Sequence, residues 1–512
     1  MLYSRPMIDD IIPLDRTLQL RAARMPCKTF IKFEGKKFTF RDIDRMADIF
    51  ASFLLAKGVK RGDRVAIFCH TCPQYVAAYF GIIRAGAVVL PLNTLLAHEE
   101  IDFILSDAGA AICFYGADCG AVVGKLEVLG KYSLVAMGDA ERFDGPAPPD
   151  PGNKPDDIST ILYTSGTTGR PKGALLTHRN IISNALACAA VIHISRKDRF
   201  VVFLPLFHSF TYTVCIIIPI LRGCMISLLP SVRPFTRVIK SLILDRITLF
   251  VAIPTVYKIL ADKDLPWFLK VLLRLRLCIS GAAPLPVRVI HDFEEAFKVP
   301  LLEGYGLTEA SPVVSLNPPE KGANRPGTVG LPLPGLEVRV VDDAGQSLSA
   351  GAPGELLVRG PNVMQGYLNK PEETAQAIRK GWLYTGDVAA IDTEGYIKII
   401  DRKKDMIIID GLNVYPYEVE EVLYRHPDVK DCAMIGVLID DAKEMGVMYV
   451  APKDGRKPGA KELRDYLSAH VAHYKVPRRF LVLDELPRNP TGKIMKKELR
   501  KQYAEKEQAH RD

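Results

Sequence analysis

The 512-residue chain has no apolar run that would predict a membrane span. A transmembrane helix needs about 20 consecutive, predominantly apolar residues. The longest candidate, residues 200–221, is interrupted by Pro205, His208 and Pro219, which favours a buried strand, loop and helix. Residues 1–6 also lack the basic and apolar regions of a signal peptide, so we expect a protein of the reducing cytoplasm.

Charge of one sign is only in modest excess. The 67 Lys and Arg residues outnumber the 59 Asp and Glu residues by 8, and proteins that bind nucleic acid usually cluster their basic residues more strongly. Part of the excess is local, because eleven basic residues accompany six acidic ones from Lys475 onward. Such a tail is typical of a solvated C-terminal helix. The composition suits small anionic ligands, and we expect no nucleic-acid partner.

A second pair of closely spaced cysteines is also missing. Cys69 and Cys72 stand three positions apart, but no matching pair among the ten cysteines completes a paired zinc motif. The surrounding sequence is not that of a thioredoxin-like redox motif either. We therefore expect two reduced thiols, one at the end of a strand and one at the start of a helix.

Short β-branched runs alternate with helical periods in the first part of the chain. Residues 64–68 and 87–90 have strand patterns, and residues 74–84 between them have a helical one. This alternation predicts an α/β fold in which helices cover both faces of largely parallel sheets. Residues 265–277 are apolar and basic. They favour a helix leading into a strand at 277–280, with docking on a membrane surface as the alternative.

The pattern changes after Gly335. Strand-like segments separated by turns predict a small antiparallel β-barrel there, at residues 336–341, 354–358 and 395–400. Beyond residue 405 the pattern predicts a mixed α+β unit, with helices at 416–425 and 460–470 and a strand at 431–437.

Residues 163–173 read Tyr-Thr-Ser-Gly-Thr-Thr-Gly-Arg-Pro-Lys-Gly and follow an apolar run. Glycine lets the backbone approach a ligand and turn its N–H groups toward it. The hydroxyl groups add donors, and Lys172 adds a charge suited to phosphate. The spacing is not that of the P-loop, and a flexible linker is the alternative reading. We predict a polyphosphate-binding loop that comprises Thr164, Ser165, Gly166, Thr167, Thr168, Gly169 and Lys172.

This loop resembles the phosphate-binding signature of the adenylate-forming superfamily, which includes acyl-CoA synthetases, firefly luciferase and peptide-synthetase adenylation domains. Further motifs follow in the order typical of that superfamily: Leu204-Pro-Leu-Phe-His208, Ser280-Gly-Ala-Ala-Pro-Leu285, Gly304-Tyr-Gly-Leu-Thr-Glu309, Tyr384-Thr-Gly-Asp387, Asp401-Arg-Lys-Lys-Asp405, Gly411-Leu-Asn-Val-Tyr-Pro416 and Asn489-Pro-Thr-Gly-Lys493.

The resemblance extends over about residues 18–499 and is strongest to bacterial fatty-acid–CoA ligases. It implies a large N-terminal adenylation domain, residues 1–401, made of two helix-covered mixed sheets plus a small β-barrel. A hinge at residues 402–405 would join it to a small mobile α+β domain, residues 406–512. Lys404 occupies the position at which the family's backbone rotates.

The resemblance also implies roles for single residues around ATP. Thr308 would contact the α-phosphate, and Glu309 would hold Mg²⁺ with help from Thr164. The ring of Tyr305 would cover the adenine and Gly306 would follow it, with the small residues of the opposite wall at Gly281, Ala282 and Ala283. Magnesium needs few protein oxygens beside phosphate and water, so one or two ligands suffice.

Four further roles concern the ribose, the acid and the thiol. Asp387, expected on a loop, would accept hydrogen bonds from the ribose hydroxyls with support from Arg402, because a carboxylate accepts two such bonds. Lys493 would reach the reacting carboxylate and α-phosphate. His208 would lie beside the acyl carboxylate and the thiol entrance, and a hydrogen-bonded core histidine is the alternative. Gly411 would line the pantetheine path.

The sequence thus predicts an ATP-dependent ligase that converts a hydrophobic, fatty carboxylic acid to its CoA thioester, using ATP, Mg²⁺ and coenzyme A. A freestanding ligase that loads an acyl carrier protein and a non-catalytic nucleotide- or lipid-binding homologue are the alternatives. Thr211 and Tyr212 stand where relatives often have glycine or alanine, which leaves the depth of the acyl pocket open. Monomer and homodimer remain open, as does peripheral contact with the inner membrane face.

Overall fold

The structure is a computed structural model that describes residues 11–110, 112–164, 171–263, 266–409, 412–440, 443–488 and 493–508. Its strands in chain order are β1 Thr29–Phe33, β2 Lys36–Thr39, β3 Arg64–Phe68, β4 Val88–Pro91, β5 Ile112–Tyr115, β6 Ser133–Ala136, β7 Ile158–Thr164, β8 Lys172–Thr177, β9 Arg199–Val202, β10 Met225–Leu228, β11 Leu249–Ala252, β12 Leu277–Ser280, β13 Leu301–Gly306, β14 Val313–Leu316, β15 Leu331–Pro332, β16 Glu337–Val341, β17 Gly354–Arg359, β18 Gly366–Tyr367, β19 Ile378–Arg379, β20 Trp382–Ile391, β21 Ile397–Arg402, β22 Ile407–Ile409, β23 Leu412–Val414, β24 Val429–Asp440, β25 Lys443–Pro452 and β26 Arg479–Val482.

The helices in chain order are α1 Leu14–Arg24, α2 Phe40–Ala56, α3 Pro73–Arg84, α4 His98–Ala108, α5 Gly120–Glu127, α6 Met137–Ala140, α7 His178–Val191, α8 Ser209–Tyr212, α9 Ile218–Arg222, α10 Phe235–Leu244, α11 Pro254–Ala261, α12 Trp267–Leu272, α13 Val287–Phe297, α14 Pro371–Ala377, α15 Pro416–Leu423, α16 Ala460–Ser468 and α17 Lys496–Gln508. A π-helical segment, Thr213–Ile217, joins α8 to α9. None of the helices in these described ranges has the length and apolar character needed to cross a bilayer.

Two large mixed sheets carry most of the first 330 residues, which confirms the predicted α/β fold. One sheet has nine strands in the order β15-β14-β13-β12-β11-β9-β10-β1-β2, and the other has seven in the order β18-β8-β7-β4-β3-β5-β6. Helix α3 is buried along almost its whole length, and it packs against α2 and α1. Helices cover both faces of a parallel sheet, and strands that are buried on both faces are apolar along their whole length.

Antiparallel strands follow the large sheets. Strands β16, β17, β20, β19 and β21 pair only in the antiparallel sense, in the region where a small barrel was expected. The C-terminal part is mixed, because β24 and β25 are antiparallel whereas β26 joins β25 in parallel. Helices α15 and α16 pack beside this sheet, as the predicted α+β pattern requires.

Asp387 corrects one expectation. It was expected on a loop, because Thr-Gly-Asp is a sequence typical of turns. The structure places it inside strand β20, where it pairs with Arg402 of β21. Gly386 does adopt a left-handed backbone, with φ of 70°. The strand nevertheless continues through Gly386. Near this residue the register of β20 shifts both in its pairing with β17 and in its pairing with β21.

Contacts of Asp401 and Asp405 tie the segment around residues 402–405 to the C-terminal part of the chain. Asp401 Oδ2 accepts a hydrogen bond from the backbone N–H of Tyr417 at 2.8 Å. Arg500 Nη2 lies 2.8 Å from Asp405 Oδ1. Residues Lys403–Asp405 form a single 3₁₀ turn between β21 and β22. The hinge and domain bounds expected from the sequence stay predictions.

Candidate active site

The two described ends of the predicted phosphate loop belong to an antiparallel hairpin. Strands β7 and β8 pair until Thr164 lies opposite Lys172. Both of these residues are half-buried. Ser165, Gly166, Thr167, Thr168 and Gly169 lie outside the described residues. The hairpin therefore fixes the two ends of the loop.

A tyrosine that the sequence did not single out connects this hairpin to the predicted magnesium ligand. Strand β18 pairs with β8 and brings Tyr367 beside it. The Nζ atom of Lys172 lies 5.5 Å from the centre of the Tyr367 ring. The Tyr367 hydroxyl donates a hydrogen bond of 2.8 Å to Glu309 Oε1. Burial and the negative charge of Glu309 raise the pKa of Tyr367, so it remains a donor.

Glu309 lies in the 3₁₀ turn Thr308–Ala310 directly after β13. Its backbone carbonyl accepts a hydrogen bond from the N–H of Met364 at 2.9 Å, which ties the turn to the segment before β18. A carboxylate has two oxygens and can accept the Tyr367 bond on one while it binds a cation through the other. The oxygen donors fit a hard cation such as Mg²⁺.

Small residues and Tyr305 come from the carboxyl ends of neighbouring strands. Gly281 and the residues after it follow β12, and Tyr305 lies near the end of β13, which pairs with β12 in parallel. Ala282 has a left-handed backbone, with φ of 68°. An added Cβ at Gly281 would lie 2.9 Å from the Phe210 ring. Position 281 therefore requires glycine if Phe210 is to keep its place.

The other members of this group are also half-buried or close-packed. Ala283 is half-buried. At Gly306 an added Cβ would lie 2.3 Å from the carbonyl oxygen of Pro312. A side chain at Gly306 would therefore displace the antiparallel strand β14.

Two other predicted residues, Tyr305 and Arg402, contact the Asp387 carboxylate. The hydroxyl of Tyr305 donates a hydrogen bond to Asp387 Oδ2 at 2.5 Å. Arg402 Nε lies 3.3 Å from the other oxygen, Oδ1, and the Asp387 side chain is only 7% exposed. Burial and the adjacent carboxylate raise the pKa of Tyr305 well above its usual value. The tyrosine is therefore a donor at all physiological pH values.

Lys493 lies in the electric field of the same group. Burial lowers its pKa to about 8, the positive charges of Arg402 and Lys404 add to the lowering, and Asp387 and Asp405 oppose it. A lysine of the C-terminal unit and an aspartate of the large unit are thus within electrostatic range of each other. Lys493 thus interacts electrostatically with Asp387 and Arg402, although 91 residues separate Arg402 from Lys493 in the chain.

His208 caps helix α8. Its Nδ1 accepts a hydrogen bond from the backbone N–H of Phe210 at 3.3 Å. Burial lowers the pKa of His208 to about 4, so the ring is neutral near pH 7 and carries its proton on Nε2. The His208 side chain is half-buried, and its role beside the acyl carboxylate stays a prediction.

The residues after His208 are fully packed. Thr211 and Tyr212 are 1% and 5% exposed. The ring of Tyr212 stacks on Tyr79 of α3, with centroids 4.0 Å apart. This stack packs α8 against α3.

Glu303 is a second residue that the sequence did not reveal. It is 6% exposed, and its Oε1 accepts a hydrogen bond from the N–H of Leu285 at 2.9 Å. Burial raises its pKa to about 8. The bond fixes the end of the segment that begins at Gly281. The only sequence signal was a carboxylate immediately before the Gly304-Tyr-Gly motif.

Gly411, the residue predicted to line the pantetheine path, lies outside the described residues. Lys404 is exposed within the 3₁₀ turn. Thr308 begins the turn that carries Glu309 and is half-buried.

Comparison with known proteins gives a consistent picture. The family model described as AMP-binding enzyme matches residues 18–368, and the model described as AMP-binding enzyme C-terminal domain matches residues 418–493. A feruloyl-CoA synthase from Amycolatopsis sp is 36% identical, with 94% of this chain and 98% of that protein covered. A long-chain-fatty-acid–CoA ligase from Bacillus subtilis (strain 168) is 35% identical, with 94% and 93% covered. The crystal structure of ATP-bound MatB from Rhodopseudomonas palustris superposes with a TM-score of 0.89 at 30% identity, covering 96% of this chain and 99% of that one.

Proposed function

The chain belongs to the AMP-binding enzyme family, and on that basis we propose that it is an acid–CoA ligase that activates a hydrophobic carboxylic acid as its adenylate. In the first step a carboxylate oxygen forms a bond to the α-phosphorus of ATP, and the bond to pyrophosphate breaks. In the second step the thiol of coenzyme A attacks the acyl carbon, its proton is released, and AMP leaves. The observation that carries the proposal is the Asp387 carboxylate, which Tyr305 and Arg402 hold within electrostatic range of Lys493.

The first step brings two anions together, so positive charge and precise placement are what the protein must supply. Lys172 and Lys493 would provide the charge at opposite ends of the triphosphate. Thr308 would donate to the α-phosphate. Glu309, with Thr164, would hold Mg²⁺, which neutralises charge on the phosphate oxygens when bound.

The nucleoside would be held by the group around Asp387. Its two oxygens would accept the ribose hydroxyls while Arg402 and Tyr305 keep the carboxylate in place. Gly281, Ala282 and Ala283 would form the floor against which the adenine lies. Glu303 would act as a positioning residue, since its bond to Leu285 fixes the end of that floor.

His208 would contribute as a neutral donor. With Nδ1 occupied by the backbone N–H of Phe210, the proton on Nε2 is the one that faces outward from the cap. A neutral imidazole can hold an acyl oxygen through one hydrogen bond without trapping the carboxylate as an ion pair. Gly411 would leave the thiol path open for the second step.

We further propose a fatty acid as the acid substrate. Support comes from the long-chain-fatty-acid–CoA ligases among the relatives and from the apolar helix α8–α9, whose residues are almost all buried beside His208. An aromatic propenoic acid is the second candidate, because two feruloyl-CoA synthases are 36% identical over 94% of the chain.

Residues 402–405 are proposed as the hinge between units 1–401 and 406–512. The location is proposed as cytoplasmic. Contact with the inner membrane face is the alternative, since Val271 and Leu272 of α12 are 69% and 51% exposed. Apolar side chains exposed next to basic ones are typical of surfaces that dock on anionic lipid.

The test is pyrophosphate release with straight-chain, branched and aromatic acids, each with and without coenzyme A. We expect long straight-chain acids to give the highest kcat/KM and the thioester to form only with coenzyme A present. A tenfold preference for ferulate over every fatty acid would favour the second substrate. Acyl-AMP that accumulates with coenzyme A and is discharged only onto a carrier protein would overturn the ligase proposal.

A further inference from the structure

Asp401 is the last residue but one of strand β21 and lies in the large unit. Its neighbour Arg402 lies opposite Asp387 of β20 and contacts that carboxylate. Successive side chains of a strand point to opposite faces, and Asp401 accordingly contacts the C-terminal part of the chain instead. Its Oδ2 accepts a hydrogen bond of 2.8 Å from the backbone N–H of Tyr417. The end of one strand thus faces both the proposed ribose site and the C-terminal unit.

The contact with Tyr417 places Asp401 at the start of helix α15. This helix begins at Pro416, which has no N–H group to donate. The first N–H groups of a helix have no partner within it, and Asp401 accepts the first of them in α15. Its negative charge also lies at the positive end of the helix dipole. The other oxygen, Oδ1, accepts the backbone N–H of Arg402 at 2.7 Å, so the carboxylate is fixed on both sides.

Lys496 is the charged residue of the C-terminal unit that faces Asp401. Burial raises the pKa of Asp401, and the positive charge of Lys496 opposes this rise. The lysine begins α17 and follows Lys493 by three residues. The backbone N–H of Met495 donates a hydrogen bond of 2.8 Å to the carbonyl of Pro487, which ties the residues between the two lysines to the segment before them. An attraction between Asp401 and Lys496 therefore also positions Lys493.

Lys496 already has a partner inside its own unit. Its Nζ lies 2.8 Å from Glu420 Oε1 of α15. Arg500, one turn further along α17, lies 2.8 Å from Asp405. Each of these two bases has its own carboxylate, so Asp401 is an additional carboxylate that the large unit supplies. Loss of the Asp401 charge leaves neither base without an acid, and it should change the pose of the C-terminal unit rather than its folding.

We propose that Asp401 is a positioning residue that holds the C-terminal unit in the pose in which Lys493 serves the adenylation step. This role rests on the proposed function, because Asp401 acts only on the first half-reaction. Rotation of the C-terminal unit about residues 402–405 carries Tyr417 and Lys496 away from Asp401, whereas Lys496 and Glu420 move together. The contact of Asp401 is therefore made in one pose and broken in the other.

A cross-link between the two units measures the pose without any substrate. Lys258 of α11 donates a hydrogen bond to the backbone carbonyl of Lys430, a contact separate from that of Asp401. The reporter protein carries Lys258→Cys and Lys430→Cys, together with Cys27→Ser because Cys27 is an exposed thiol. A short bismaleimide joins the two new thiols. Asp401→Ala should slow this cross-link at least tenfold. Asp401→Asn keeps an acceptor for Tyr417 but loses the charge, and it should slow the cross-link at least threefold.

Asp392→Ala is the matched control. Asp392 also accepts backbone N–H bonds, from Glu394 and Tyr396 at 2.9 Å, and it pairs with Arg325. All of these partners belong to the large unit. The variant should lower the Tm, whereas its cross-linking rate should stay within twofold of the parent. The comparison separates a change of pose from a loss of stability.

The half-reactions give a second readout in the protein without the reporter cysteines. Palmitate-dependent ATP–pyrophosphate exchange should fall at least tenfold in Asp401→Ala. The KM for ATP should stay within threefold of wild type, because the groups proposed to bind the nucleoside remain. Conversion of supplied palmitoyl-AMP to palmitoyl-CoA should stay within twofold, since that step uses the other pose.

An unchanged cross-linking rate in both Asp401 variants would overturn the proposal, and so would an equal fall of this rate in Asp392→Ala. Equal loss of the two half-reactions in Asp401→Ala would overturn it as well. A wild-type protein that shows pyrophosphate exchange with no acid would instead contradict the ligase proposal, and the cross-link would still test the role of Asp401.

Discussion

Tyr305 donates a 2.5 Å hydrogen bond to Asp387, and this bond joins the end of β13 to the middle of β20. The tyrosine lies in β13 of the nine-stranded sheet and the aspartate in β20 of the five-stranded one. The proposed adenine and ribose contacts are therefore held in one geometry by a single pair of side chains.

Tyr305→Phe should weaken ATP binding while the aromatic ring stays in place. A hydrogen bond to a charged group contributes roughly 1.5–3 kcal/mol, so the KM for ATP should rise about tenfold. The matched control is Tyr384→Phe in the same strand as Asp387, which should leave the KM for ATP within twofold. Equal effects of the two variants would show that the Tyr305 hydroxyl has no special role.

Lys493→Ala should remove the first half-reaction and spare the second. Loss of a charge aimed at the transition state costs on the order of 100-fold, so acid-dependent ATP–pyrophosphate exchange should fall by at least that factor. Conversion of supplied acyl-AMP to acyl-CoA should continue. Lys497→Ala, at an exposed lysine of helix α17, is the control. Equal loss of both half-reactions would contradict the assignment.

The same lysine predicts a pH dependence. With its pKa lowered to about 8, Lys493 loses its charge as pH rises through that value. The kcat/KM for adenylation reports ionisation in the free enzyme, and it should decline above about pH 8. Ionisation of His208 should cause no further change in kcat/KM between pH 5 and pH 8, because its pKa is about 4. A profile that stays flat to pH 10 would count against charged Lys493 as the acting form.

Lys404→Pro should hold the C-terminal unit in one pose. Proline fixes φ and restricts the residue before it, so one half-reaction should fall at least tenfold more than the other. Single-turnover assays of each half-reaction measure this ratio. Lys404→Ala removes the same amine without restricting the backbone and serves as the control. If both half-reactions survive in the proline variant, the hinge lies elsewhere.

Gly411→Leu should block the thiol path after adenylation. Pyrophosphate release and bound acyl-AMP should persist, whereas acyl-CoA measured by mass spectrometry after one turnover should fall at least tenfold. Gly459→Leu is the control within the C-terminal unit, because an added Cβ at Gly459 meets no atom within 4 Å. Normal acyl-CoA formation by Gly411→Leu would exclude position 411 from the path.

Glu303→Gln should stabilise the protein at high pH. Burial raises the pKa of Glu303 to about 8, so its contribution to stability is complete below the unfolded pKa of about 4.5 and is lost as pH rises through about 8. Glutamine keeps the acceptor for Leu285 N–H and does not ionise. The Tm of the variant should exceed that of wild type at pH 8 and equal it at pH 4.5. An equal difference in Tm between variant and wild type at both pH values would show that Glu303 does not ionise between them.

Local patterns predicted much of the fold. Strands at residues 64–68 and 277–280 were predicted with the bounds that the structure shows, because β-branched residues there are flanked by turns. The rejection of a membrane span at 200–221 was also confirmed, since this segment contains β9 and the short helices after it.

Contacts between segments far apart in the chain could not be predicted from the sequence. Nothing in the local pattern places Tyr367 between Lys172 and Glu309, because the contact depends on β18 joining β8 across 190 residues. Asp387 was misplaced for a related reason. A Thr-Gly-Asp triplet favours a turn locally, and only pairing on both sides keeps it in a strand.

The contact between Gly281 and the Phe210 ring has a consequence for how substrate choice can change. One side of this contact belongs to the proposed adenine floor, and the other follows His208 at the proposed acid site. A larger residue at 281 would push Phe210 toward the acid, and a smaller residue at 210 would leave the nucleotide side unsupported. Natural variants that accept new acids should therefore change positions 210 and 281 together, so the range of acids and the affinity for nucleotide evolve as one coupled trait.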